Sequence, residues 1–136
     1  MQMQYTYSID TEQGLARVLV SGDVEFQGAV ELIQTVSRDP RWQPGFSRLV
    51  DMRNARVLIP KAGSRDLATV NAAEGPGASS DKVPQHKVAL ITSDALSFGI
   101  ASQYAAYSEL AGVPTEVFQD LTSAEAWLGV TSSMQV

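Results

Sequence analysis

The sequence has no cysteine and a single histidine, His86. The first absence excludes disulfides, thiol nucleophiles and thiolate metal sites; the second argues against zinc. No apolar run approaches the roughly 18 residues that cross a bilayer. The opening MQMQYTYSID lacks the basic start and apolar core of a secretory signal, so a cytoplasmic location is the expectation. Basic residues are missing from positions 88–136, which hold five acidic ones (Asp94, Glu109, Glu116, Asp120, Glu125). Strong electrostatic attachment of that part to an anionic membrane is therefore disfavoured, leaving at most a peripheral association.

What is present fits one globular domain. The 136 residues suffice for one core, and 44% hydrophobic residues is too many for a disordered chain. Net charge is −5, yet Arg48, Arg53, Arg56, Lys61 and Arg65 share one window with Asp51 as its lone acid. A basic patch near the middle and an acidic last third are expected. Long arginines solvating a surface would produce the same pattern. The window carries no nucleic-acid motif and the chain is acidic overall, so no nucleic-acid partner is expected.

The most ordered signal runs over 86–112. Val88, Ala89, Leu90 and Ile91 form an unbroken apolar run, as in a strand buried on both faces. Ser93 and Asp94 supply an N-cap, and the helix that follows carries apolar residues at Leu96, Ile100, Tyr104, Tyr107 and Leu110 before Gly112 closes it. Strand feeding helix is half of a parallel βαβ unit.

Upstream, 5–9 alternates with period two and 15–20 is a second strand, predicting an edge hairpin. Residues 21–23 break that strand and cap a helix with a stripe at Phe26, Ala29, Val30, Ile33 and Val36. Residues 39–45 form a proline-bounded turn, with Trp42 plugging the bottom of the core. A third strand over 48–52, a connection over 54–59, and a helix from Pro60 to Gly75 through Leu67, Ala68, Val70 and Ala72 follow. Residues 75–85 read as a flexible loop, 115–118 as a fifth strand, and 131–136 as a frayed tail. A capping box at 122–125 opens a last short helix burying Trp127 and Leu128. The order ββαβαβαβα predicts a single α/β domain over 1–136, with a mixed, mostly parallel five-stranded sheet and helices on both faces.

Such sheets bind ligands beyond the carboxyl ends of their strands. Here those ends carry Asp23, Asp51, Arg53, Ser93 and Asp94. Asp23 and Asp94 also read simply as helix N-caps. Asp51 has no helix immediately after it, and Arg53 can pair with it or with an incoming anion. A serine dyad of Ser93 with His86 is excluded if 86–93 is a strand, because seven residues separate them by about 23 Å. Residues 75–80, GPGASS, match neither dinucleotide nor P-loop fingerprints. No cofactor or metal is implied, and carboxylate-based hydrolysis at Asp51 has no specific support. In the central helix, Phe98, Tyr104 and Tyr107 lie among Gly99, Ala101, Ala105 and Ala106, a pattern suited to an apolar ligand or to ordinary packing.

As a set, SGDV at 21–24, DPRWQPG at 39–45, LVDMR at 49–53, HKVALITSDALSFGIA at 86–101 and EVFQDLTSAEAWL at 116–128 resemble the small bacterial SpoIIAA-like proteins. That group is related to the STAS domain and is compared with the CRAL-TRIO fold. The resemblance implies a mixed sheet of four to five strands, about four helices and a non-catalytic binding or regulatory role. In regulatory STAS domains a phosphorylatable serine follows an aspartate at the end of the third strand. Asp51 matches the aspartate, but Met52, Arg53 and Asn54 stand where the serine would be.

The leading expectation is a non-enzymatic module that takes a small hydrophobic or amphipathic ligand, such as a lipid, in the strand-end crevice. Asp51, Arg53, Ser93 and Asp94 would line it, with Arg56 or Lys61 holding an acidic group and Phe98, Tyr104 and Tyr107 facing apolar matter. The alternative is a partner-switch regulator that docks an acidic protein through the basic patch. The edge hairpin also offers a pairing surface for a homodimer.

Overall fold

The structure is a computed structural model that describes residues 2–43, 45–74 and 87–131, with Ala73 and Glu74 described by backbone alone. Its elements run β1(Gln4–Asp10), β2(Leu15–Val24), α1(Phe26–Ser37), β3(Ser47–Val57), α2(Lys61–Glu74), β4(Val88–Ile91), α3(Ala95–Leu110), β5(Thr115–Phe118) and α4(Leu121–Leu128). The expected loop over 75–85, His86 and the tail beyond Thr131 lie outside the described residues.

The five strands form one sheet in sequence order, with β1 antiparallel to β2 and every other pairing parallel. Period-two alternation divides the side chains between two faces. Ala16, Val18 and Val20 of β2, Met52 of β3, and Val88 and Leu90 of β4 join the larger core, beneath α1, α2 and α3. Leu15, Leu49, Ala89 and Ile91 form a smaller core with Ala124 of α4 on the opposite face. This is the predicted mixed, mostly parallel sheet with helices on both faces, three against one.

Two strands outrun their predicted bounds. β2 continues through 21–23 to Val24, and Asp23 bonds Arg56 instead of capping α1, whose N-cap Glu25 makes no side-chain cap bond. β3 continues through the expected connection to Val57. Between Leu19 and Ser21 of β2, β3 places one extra residue, a bulge after Asp51. The bulge reverses parity, so Ala55 and Val57 point into the larger core while Arg56 sits opposite Asp23.

The central helix also departs from its expected stripe. Leu96 and Leu110 are 64% and 86% exposed; the buried positions are Ser97, Ala101, Tyr104, Ala105 and Ser108. Small side chains let α3 approach α2 and the sheet closely, so the longer apolar residues are left outside. Asp94 caps α3 as predicted, accepting from Ser97 N–H at 2.8 Å. For α4 the cap is Asp120, two residues before the predicted box, accepting from Ser123 N–H at 2.7 Å. Glu125 instead reaches Arg17 of β2 at 2.8 Å. The turn over 39–42 is ordered by Asp39, which receives Arg41 and the Tyr7 hydroxyl; Arg41 above all holds this carboxyl far below the usual carboxylate range. Trp42 is buried at the bottom of the larger core, its ring edge-on to Phe46.

Candidate functional site

At the carboxyl ends of β3 and β4, Asp51 Oδ1 accepts from Arg53 Nε at 2.9 Å and Asp51 Oδ2 from Nη2 at 2.6 Å. Burial works against the charge on Asp51, but the hydrogen bonds from Arg53 outweigh it and hold the carboxyl below its ordinary value. The Ser93 hydroxyl donates to the Arg53 carbonyl oxygen at 2.8 Å, which aims its proton at an amide and not at a base. Asp94 and Asp120 close the crevice as helix caps, and the charge of Asp120 adds to the stabilisation of Arg53.

The structure thus brings Asp51, Arg53 and Ser93 together, bonded chiefly to one another. Arg56 stands on the same sheet face, bonded to Asp23 at 3.0 and 3.1 Å, and Lys61 is an exposed residue at the start of α2. The aromatic trio is divided. Phe98 is 37% exposed on the outside of α3, Tyr107 packs half-buried against the larger core, and Tyr104 is buried within it. Nor is the basic window one patch: Arg48 is inside the protein, and Arg53 and Arg56 are ion-paired.

A second place was not legible as a site. Between the sheet and the layer α1–α3 lies a hollow of about 90 Å³, lined almost wholly by apolar side chains. Val18, Val50 and Leu90 of the sheet and Val36 and Leu67 of the helices contribute, with Arg48, Asn71 and Tyr104 alongside. Arg48 is 3% exposed and Asn71 fully buried. One guanidinium nitrogen of Arg48 donates to Asn71 Oδ1 and the other to Ser37 Oγ, and the guanidinium carbon stands 4.9 Å from the centre of the Trp42 ring. Arginine carries only donors, so it must face the amide oxygen of Asn71. This turns Nδ2 away, and that buried nitrogen has no hydrogen-bond partner. Burial raises the phenol of Tyr104 above its usual value, while the charge of Arg48 pulls the other way.

Two features of the sequence agree with this placement, although neither by itself marks a site. Arg48 shares parity with Val50 and Met52, so it faces the helices, and Asn71 follows Leu67 by one helical turn. Among the described residues no group of three or more His, Cys, Asp or Glu side chains could hold a metal ion, and no helix is long and apolar enough to cross a membrane.

No family model matches the sequence, and no curated protein matches it. Among solved structures, the chain is similar to an uncharacterised DUF3478-family protein with a SpoIIAA-like fold from Shewanella loihica PV-4. The TM-score is 0.57 at 14% identity, over 94% of this chain and 96% of the other. The fold is SpoIIAA-like.

Proposed function

We propose that this SpoIIAA-like α/β domain is a non-enzymatic binding module whose ligand, a small apolar or amphipathic molecule, occupies the hollow between the sheet and α1–α3. The observation that carries this reading is the hollow itself, about 90 Å³ inside an apolar layer. Protein interiors are normally packed with few voids larger than a water molecule, and an empty apolar space costs stability unless something fills it. The strand-end crevice supports the reading less, because its arginine and carboxylate already satisfy each other.

Xenon tests this directly, since it enters dry apolar cavities without needing polar contacts. In protein labelled at its Val and Leu methyl groups, xenon should shift the resonances of Val18, Val36, Val50 and Leu90. Native mass spectrometry of freshly purified protein, followed by denaturing release, would identify a retained molecule. Xenon shifts scattered over the exposed Leu96 and Leu110, with none in the interior, would refute the proposal.

A further inference from the structure

β1 stands at one edge of the sheet: among the described residues it pairs with β2 and with no other strand. In an antiparallel ladder alternate residues turn their N–H and C=O toward the neighbouring strand, and those between turn both groups away. Every second residue of β1 therefore offers a donor and an acceptor outward. Natural sheets blunt such edges with charged side chains, proline, bulges or very short strands. The opposite edge is guarded in this way, since β5 has four residues, Pro114 before it and the exposed Glu116 within it. β1 is not. It has seven residues in unbroken register with β2, and Gln4 to Ile9 include neither a charge nor a proline.

We infer that the partner of this edge is a second copy of the chain, the two β1 strands pairing antiparallel about a two-fold axis at Tyr7 and joining the two sheets into one. An axis perpendicular to the sheet keeps the α1–α3 layers of both copies on one side, so residues of like parity must meet. Of the registers this allows, the one centred on Tyr7 alone pairs the whole strand with itself. It sets Tyr7 against Tyr7 and Tyr5 against Ile9, on the side where these residues pack half-buried against the larger core. On the other side Thr6 meets Ser8 and Gln4 meets Asp10. Aromatic, aromatic–β-branched and hydroxyl pairs are those that stabilise facing strands, and no like charges are opposed. Asp39, the acid beside Tyr7, is already paired with Arg41. Because the edge complements itself while β5 is guarded, the contact closes as a dimer and does not propagate.

The test is sedimentation equilibrium of the full chain from about 1 μM to about 1 mM, the range of weak to moderate association. The mass should rise from 14.6 kDa toward twice that value. Thr6 and Ser8 are exposed and belong to neither core. Thr6→Lys combined with Ser8→Lys sets lysine against lysine twice across the axis, so dimer affinity should fall roughly tenfold or more while circular dichroism stays that of the parent. Thr6→Glu combined with Ser8→Glu should do the same, and mixing the two double variants should restore a dimer with one copy of each. For the register, Thr6→Lys alone mixed with Ser8→Glu alone should favour the mixed dimer, because pairing about Tyr7 sets these positions opposite. A chain that stays at 14.6 kDa throughout would overturn the proposal. So would a dimer that survives both lysines, or double variants that fail to associate when mixed. Absence of preference between the single variants would overturn the register at Tyr7.

Discussion

The hydroxyl oxygen of Ser97 accepts a hydrogen bond at 2.9 Å from the backbone N–H of Val57, joining the first turn of α3 to the last residue of β3. Both residues are buried. Removing the hydroxyl leaves a backbone donor with no partner and no access to water. Ser97→Ala should therefore destabilise the fold by about 1–3 kcal/mol. Urea denaturation should show this as a lower midpoint at unchanged slope.

Gly22 has φ +86°, and a Cβ placed there would stand 2.3 Å from the carbonyl oxygen of Gln2. The clash is with backbone, which cannot rotate aside. Gly22→Ala combines that contact with left-handed geometry and should cost on the order of 1–3 kcal/mol. Amide resonances from 2–5 and 21–24 should shift most. A thermal midpoint equal to the parent's would contradict this account.

The pH response of Asp51 follows from its arginine. Its folded carboxyl is held below the ordinary value, so it contributes stability that is fully present above the unfolded pKa, ordinarily about 3.9. That contribution disappears as pH falls through the lower, folded value. In Arg53→Gln the side-chain ion pair is gone and burial is left opposing the charge, so the Asp51 pKa should rise and the loss of stability that it contributes on acidification should shrink. Carboxyl carbon shifts followed against pH would measure this, with an unmoved titration as the adverse result.

Filling the hollow separates a binding space from a packing defect. Adding a methylene to a well-packed core costs about 1–3 kcal/mol. Val18→Ile with Val36→Ile, both lining the hollow, should instead leave the thermal midpoint equal or higher, and should abolish the interior xenon shifts. A large drop in midpoint would mean that the space is already occupied by well-placed side chains.

The sequence disclosed the architecture where local and tertiary requirements agree. The run Val88 to Ile91 is apolar throughout because β4 is covered on both faces, and Asp94 is a cap wherever that helix starts. Disagreement arose where tertiary structure overrides pattern. Past Asp51 a bulge reverses the alternation of β3, so Asn54 and Arg56 broke the period-two signal although the strand continues. In α3 the buried stripe is made of Ser97, Ala101, Ala105 and Ser108, because the neighbouring helix and sheet sit too close for leucine. Periodicity weighted by hydrophobicity picks Leu96 and Leu110 instead. Arg48 was missed for a related reason: charge predicts surface, whereas its strand parity places it inside against Asn71 and Trp42.

The two cores on opposite faces of the sheet differ in what depends on them. α4 is fastened through Ala124, through Trp127 packed on Phe118, and through the Arg17–Glu125 pair, whereas α1, α2 and α3 share the larger interior. The sheet lies between, so α4 can detach without exposing the hollow. Native-state hydrogen exchange should then resolve two cooperative units: α4 opening at a free energy well below global unfolding, and β2, β3 and β4 exchanging only when the whole domain unfolds.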